Sequence, residues 1–220
     1  MDIREIRDRK ILLPSDEPEL RTPVTWPPSR GDLADLEVVG QDWSRLRLED
    51  RALIGSSLSG VLLAHAHVED ARITNSVLQD CDLASSRWIN TRIDRCVLRG
   101  CRLTGAYVQR LTLSDVVFER CRVDYATLAG LHAVGAVGFI DCTLRETVIE
   151  ESRLDDVVFA DCTMTDVRFA STRLRNADLR GSRLDTLTGI PCLAGATIGA
   201  DQVDQLTQAF VVDLQLNVHD

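Results

Sequence analysis

Seven cysteines and four histidines are the residues of this chain with the most chemistry to offer. Five of the cysteines form a series, Cys81, Cys101, Cys121, Cys142 and Cys162, at intervals of 20, 20, 21 and 20 residues. A metal site, a set of disulfides and a structural ladder could each use such a series. Zinc sites draw on close pairs such as C-x₂-C with a matching second pair, and here no two cysteines are closer than five residues. Disulfides need defined sulfur geometry and an oxidising compartment. The opening segment MDIREIRDRK alternates charges without an apolar core and does not read as a secretion signal, so reduced thiols in a cytoplasm are the expectation. His65 and His67 stand in HAH with no third ligand nearby in sequence, a weak metal signal, and His132 is isolated. G-x-S-x-G, a phosphate-binding glycine loop and H-E-x-x-H are all absent, and the serines and threonines lack a general base beside them. No catalytic residue, metal or cofactor is expected.

The balance of the chain narrows the remaining classes. With 45% apolar and 27% charged residues among 220, it can bury a core and is not disordered by composition. A net charge of −9 argues against a basic nucleic-acid footprint, so no direct nucleic-acid partner is expected. No run of about 18 apolar residues occurs, so no membrane span is expected.

The elements that place the cysteines follow from a period of five. Every fifth residue from Val38 to Leu128 is apolar, and after a slip of one residue so is every fifth from Val134 to Leu184. Thirty apolar residues in thirty positions has a chance probability on the order of 10⁻¹⁰. From Ser56 to Ala126 and from Val137 to Ser182 the position two before each centre is small (Ser, Thr, Ala, Val or Cys), with Leu111 the exception. Neither the 3.6-residue helix nor the two-residue strand produces this spacing. It suits a coil of short flat sides, each presenting one large and one small residue inward, stacked on the next coil to satisfy its backbone. The cysteines recur every fourth unit, and Phe118, Phe139 and Phe159 repeat the same 21 and 20 spacing on a different side. Four sides of five residues make a square coil of twenty, with both ladders buried inside it.

This pattern resembles the pentapeptide-repeat family, whose unit is commonly written A(D/N)LXX. NADLR (176–180) fits it closely, and GSRLD, DCDLA and GCRLT fit it loosely. Many units carry Arg or Thr where the consensus has Asp or Asn. The resemblance implies an all-β fold, a right-handed quadrilateral parallel β-helix over residues 31–186, with about seven to eight coils and a length of ~35 Å at the usual strand spacing. Residues 1–30 hold most of the prolines and no period of five, and read as an extended arm or N-terminal cap. Residues 187–220 read as a C-terminal cap. Within it, 201–216 is predicted as a helix with Asp201 as N-cap and Val203, Leu206, Phe210 and Leu214 facing the last coil. The slip lies in AGLHAVGAVG (129–138), where three glycines and one extra residue suggest a bulge, either a tolerated insertion or a small protrusion used for contact.

Two outward features are candidate partner surfaces. Val77, Val97, Val117 and Val158 form a row down one side, with Gly138 in the coil between the last two, and could be an apolar strip for another protein. Arg72, Arg92, Arg153 and Arg173 line a different side. Residues 72–123 carry nine arginines and five acids, whereas residues 140–166 carry eight acids and two arginines. Those eight are Asp141, Glu146, Glu150, Glu151, Asp155, Asp156, Asp161 and Asp166. The resemblance implies a non-enzymatic rod and a homodimer through its C-terminal region. It further implies an acidic band that imitates duplex DNA toward DNA gyrase or topoisomerase IV, with quinolone-type resistance or self-protection as the result. A protein-binding scaffold unrelated to topoisomerases is the alternative.

Overall fold

A coil built of four short sides cannot pair its own backbone groups, so every N–H and C=O along it must find a partner one coil away. In the computed structural model, which describes residues 2–15 and 17–217, this is how the chain is organised. Parallel pairing aligns Ile73 with Ile93 and Val97 with Val117 at a register of 20, and Phe118 with Phe139 at 21. The register returns to 20 where Phe139 meets Phe159. The result is a parallel β-solenoid of about seven turns with one short C-terminal helix.

The four sides are named here for what they carry. The phenylalanine face holds Phe118, Phe139 and Phe159, and the cysteine face follows it around the coil. Next comes the histidine face, bearing His67, and then the arginine face, bearing Arg72 and Arg92. The large inward residues from Val38 to Leu128 and from Phe139 to Leu184 are all buried, as are the small inward residues from Ser56 to Ser182. Phe118, Phe139 and Phe159 stack with ring centroids 4.5 and 5.0 Å apart.

The small inward residue does more than fill space. Cys81, Cys101, Cys121, Cys142 and Cys162 each donate Sγ–H to a carbonyl one coil earlier (Leu58, Leu78, Leu98, Phe118 and Phe139) at 3.3–3.5 Å. Ser182 and Thr172 make the same bond through their hydroxyls, to Phe159 and Ile149. The position thus selects a short side chain, and where that side chain is Cys, Ser or Thr it can also tie one coil to the one before.

A third rule operates at the corners. From Asp35 to Gly130 every fifth residue has positive φ, and from Asp141 to Gly181 the same holds one residue later. Left-handed backbone is least costly for Gly, Asn and Asp, which explains their frequency there, although Arg95, Arg110 and Arg120 also occupy corners.

Three sequence expectations are corrected. Val134 does not point inward but is half exposed; Ala133 continues the inward row opposite Leu113. The extra residue lies between Ala133 and Val137, where Val137 resumes pairing with Val116 at a register of 21. Gly135 passes so close to the preceding coil that a Cβ would lie 2.8 Å from Ser114 Oγ.

The helix, α1, spans Val203–Asp213 and follows a 3-10 turn at Ala200–Gln202, so Asp201 is inside that turn and is no N-cap. Gln202 of that turn and Ala209 of the helix are buried, with Leu206 partly buried, whereas Val203, Phe210 and Leu214 are exposed. The reason is that an open coil end needs hydrogen bonds before it needs apolar cover. Gln202 donates to the carbonyls of Leu179 and Ser182, Gln205 accepts from Leu184 N, and Asp213 accepts from the amides of Gly189 and Ile190.

The arm is the third difference. Ile3–Ile6 (β1) and Arg9–Leu12 (β2) form an antiparallel hairpin that lies along the phenylalanine face, not across an end of the rod. From it the chain runs down the corner between the arginine and phenylalanine faces. Ser15 N donates to Asn75 Oδ1, and the Arg21 guanidinium to Gly55 O. Thr22–Pro23 (β3) then pairs with Leu36–Glu37 and covers the first coil. Trp43 closes this end from inside, buried and donating Nε1–H to Thr25 O at 2.9 Å.

All seven cysteines are free, and only Cys192 is not buried. Burial pushes the Cys96 thiol up to about 12, and its bond with Cys121 together with burial does the same for Cys101. Titration of the folded protein with an aromatic disulfide reagent is therefore expected to show one fast thiol, Cys192, and six that react only on unfolding. Fast reaction of two or more would refute the ladder as a packed element.

Candidate protein-interaction surface

The valine row and the acidic residues both occupy outward positions, and the structure treats them differently. Val97, Val117 and Val158 are buried, because Ile6 and Ile11 of the hairpin pack over them with Leu13, Ala136 and Ile140 at the edges. Val77, nearer the first coils, is half buried. The row is therefore not available to a partner; its partner is this chain's own hairpin. Gly138 is what makes the fit possible, since a Cβ there would lie 3.0 Å from Ile6 Cδ1 and 3.3 Å from Ile11 Cδ1. The slip contributes as well, placing Ala136 at the edge of this second core.

Charge fixes the hairpin at both margins of the face. Arg4 makes a two-pronged contact with Glu119 at 3.1 Å for each bond, and Arg99 donates to the same carboxylate at 2.9 Å. Arg9 pairs with Asp156 at 3.0 Å on one corner and Arg7 with Asp161 at 3.7 Å on the other. Leu12 N donates to Asp115 Oδ1. An isolated two-stranded hairpin is marginal in water. Burial of two isoleucines, worth roughly 1.5–3 kcal/mol each, with a half-buried ion-pair cluster, supplies what the hairpin lacks alone.

Six of the eight candidate acids, Asp141, Glu146, Glu151, Asp156, Asp161 and Asp166, are left-handed corner residues. They do not form one band. A 20-residue coil distributes them over all four corners. Asp141 and Asp161 share the corner before the cysteine face, and Glu146 and Asp166 the corner after it. Glu151 and Asp156 stand alone on the other two. Asp155 is taken by Arg173, which holds its carboxyl below the ordinary carboxylate range. Glu150 is half buried on the histidine face. Among the described residues, Asp141, Glu146, Glu151 and Asp166 are exposed and make no ion pair.

The cysteine face of the C-terminal half is thus edged by two carboxylate columns. Toward the rod's end a shallow concavity follows it, lined by Asp201 and Asp204 and by Asp185, which is paired with Arg183 at 3.0 Å. In the middle coils of the same face Arg102, Arg120 and Arg122 stand around a second hollow that ends at Asp141, and two of these arginines face aspartates, Arg102 against Asp82 and Arg122 against Asp124. One pairing that sequence reasoning missed is on the histidine face. HAH is split by a corner, so His65 and His67 do not act together; His67 meets Glu49 and Glu69 instead. The register of 20 is the signal that would have found it.

Comparison with known proteins agrees with the fold. The family model described as pentapeptide repeats matches eight copies, over residues 76–115 and 139–185, and the gap between the two blocks contains the slip. No curated protein matches the chain. Among solved structures, full-length QnrB1, a plasmid-mediated fluoroquinolone resistance protein, is 16% identical over 82% of this chain and 99% of its own, with a TM-score of 0.37. HetL, a pentapeptide repeat protein involved in heterocyst differentiation regulation from the cyanobacterium Nostoc, is 16% identical over 68% of this chain and 79% of its own, with a TM-score of 0.34. No helix among the described residues is long and apolar enough to cross a membrane.

Two outcomes test the hairpin. Gly138→Val, which would complete the valine row, is expected to displace β1 and β2 at a cost of about 1–3 kcal/mol, seen as loss of amide protection over residues 3–12 with the coils still protected. Acid should act at the margin. Arg4, then Arg99, holds Glu119 down to about 2 from an ordinary 4.5. Because the folded value is the lower one, this pair's contribution is complete above the ordinary value and fades as pH falls toward 2. Hairpin protection should fall in that window, and Glu119→Gln should abolish the dependence; an unchanged acid profile in that variant would count against the pair.

Proposed function

Taking as premise that the chain is a pentapeptide-repeat protein, we propose that it is a non-enzymatic rod that binds a type II topoisomerase, DNA gyrase or topoisomerase IV, through the acidic half of its cysteine face. The observation that carries this reading is the pair of carboxylate columns at the edges of that face, Asp141 and Asp161 opposite Glu146 and Asp166. Duplex DNA also presents two lines of negative charge flanking a groove, and a surface built for one can attract the other. Asp161 is half committed to Arg7, so Asp141, Glu146 and Asp166 bear the interaction. Protection from a quinolone-type poison would follow from competition with the DNA to which the poison binds.

A second copy of the chain extends the rod in this reading. Val203, Phe210, Val212, Leu214 and Leu216 are exposed around α1. Ile190, Ile198, Val203, Leu206 and Phe210 line an almost wholly apolar hollow beside it. A homodimer joined there would place the two acidic halves next to each other. The C-terminal patch is also what favours the alternative, a scaffold for an unrelated protein, now that the valine strip is occupied.

The test is inhibition of gyrase-catalysed supercoiling by micromolar protein, which should weaken as salt rises. Asp141→Asn, Glu146→Asn and Asp166→Asn together keep residues that tolerate the left-handed corner, and should raise the half-inhibitory concentration by about fivefold or more, two to three lost contacts of about 0.5–1 kcal/mol each. No inhibition at micromolar protein, or none of the charge dependence, would sink the topoisomerase reading. Phe210→Asp should convert a dimer to a monomer in sedimentation; a wild-type monomer would remove the dimer from the proposal.

A further inference from the structure

On the histidine face, Glu49 lies directly beside Glu69 in the parallel register, and Arg47 beside His67. Two carboxylates at directly opposed positions repel, and such pairs are destabilising unless a positive charge lies between them. Here the group between them is an imidazole. His67 Nε2 is 2.8 Å from Glu69 Oε2 and 3.9 Å from Glu49 Oε1. One ligand atom from each of the three residues lies within 4.8 Å of the other two. All three side chains are partly shielded, at 25%, 41% and 40% exposure, and each is carried by a strand, not a loop.

Tetrahedral zinc bound by nitrogen and oxygen at 2.0–2.2 Å has ligand-to-ligand edges of about 3.3–3.6 Å. The two His67 contacts bracket that value, and with all three atoms within 4.8 Å of one another, side-chain adjustment alone brings them onto one ion. We propose that Glu49, His67 and Glu69 form a site for a divalent transition-metal ion of the zinc type, three protein ligands leaving one position for water or a donor from another molecule. The imidazole selects against magnesium and calcium, which take oxygen donors. Arg47 occupies only Glu49 Oε1, and its own side chain is 72% exposed, free to swing away when a cation arrives. The ion would join two successive coils, Glu49 from one and His67 with Glu69 from the next, in the part of the rod nearest the first coil.

Neither the split HAH nor the buried thiols could substitute. His65 is on the left-handed corner beside the cysteine face and belongs to no cluster of three possible ligands among the described residues. The cysteine ladder is closed to solvent.

The experiment uses the full chain, free of any affinity tag, titrated calorimetrically with zinc chloride alone, and in parallel with cobalt chloride to read its visible absorption bands. One ion per chain is expected. Binding should weaken at least tenfold in His67→Gln and in Glu69→Gln, and be unaffected in His65→Asn. Zinc should also raise amide protection over residues 47–69 in the wild type and not in His67→Gln. All of these positions point outward, and circular dichroism with the same melting profile would show that each variant keeps its coils. Absence of binding at millimolar zinc overturns the proposal. So does binding that survives His67→Gln, which would place the ion elsewhere, and so does equal binding of magnesium, which would reduce the cluster to a generic acidic surface.

Discussion

The rest of the structure depends on one constraint: each coil must hydrogen-bond to the coil before and after it, because no side of five residues can pair with another side of its own coil. The register of 20, replaced by 21 only around the coil that holds the inserted residue, follows from it, since the four sides must stay in step for the ladder to persist. So do the left-handed corners, which turn the chain through the square without withdrawing backbone groups from the stack. The small inward residue serves the same end. Serine, threonine and cysteine recur there because each can donate to a carbonyl one coil back while leaving room for the larger residue beside it.

The ends show what the constraint costs when stacking stops. At the first coil, β3 supplies a further strand. At the last, α1 and the turn before it supply side-chain amides and a carboxylate. Gln202, Gln205 and Asp213 each take up backbone groups that have no next coil. A cap chosen for hydrogen bonding leaves its apolar residues facing outward, and this accounts for the exposed patch around Phe210.

The hairpin belongs to a second level of organisation. It is not part of the stack, yet it covers an apolar strip the stack leaves outside. Ile6 and Ile11 fit over Gly138, and three arginines reach Glu119, Asp156 and Asp161. Two of the acids most attractive as partner contacts are thereby partly neutralised within the chain. What remains open is a face on which arginines meet aspartates in the middle coils and unpaired carboxylates stand at the corners of the late ones.

The sequence by itself determined the coil. Period, circumference, the inward ladders and the presence of one inserted residue were all legible, because each is a local rule repeated until chance is excluded. It did not separate the corner position from the other outward ones, since Arg and Asp alternate there and only φ distinguishes them. The contacts that decide which surfaces are free were settled by tertiary structure alone. The hairpin and the valine strip are about a hundred residues apart, the acids that look like a band in sequence are carried to four corners by the 20-residue coil, and Glu49 meets His67 only through the stack. These are products of how the chain returns on itself, and a linear pattern holds no measure of that distance.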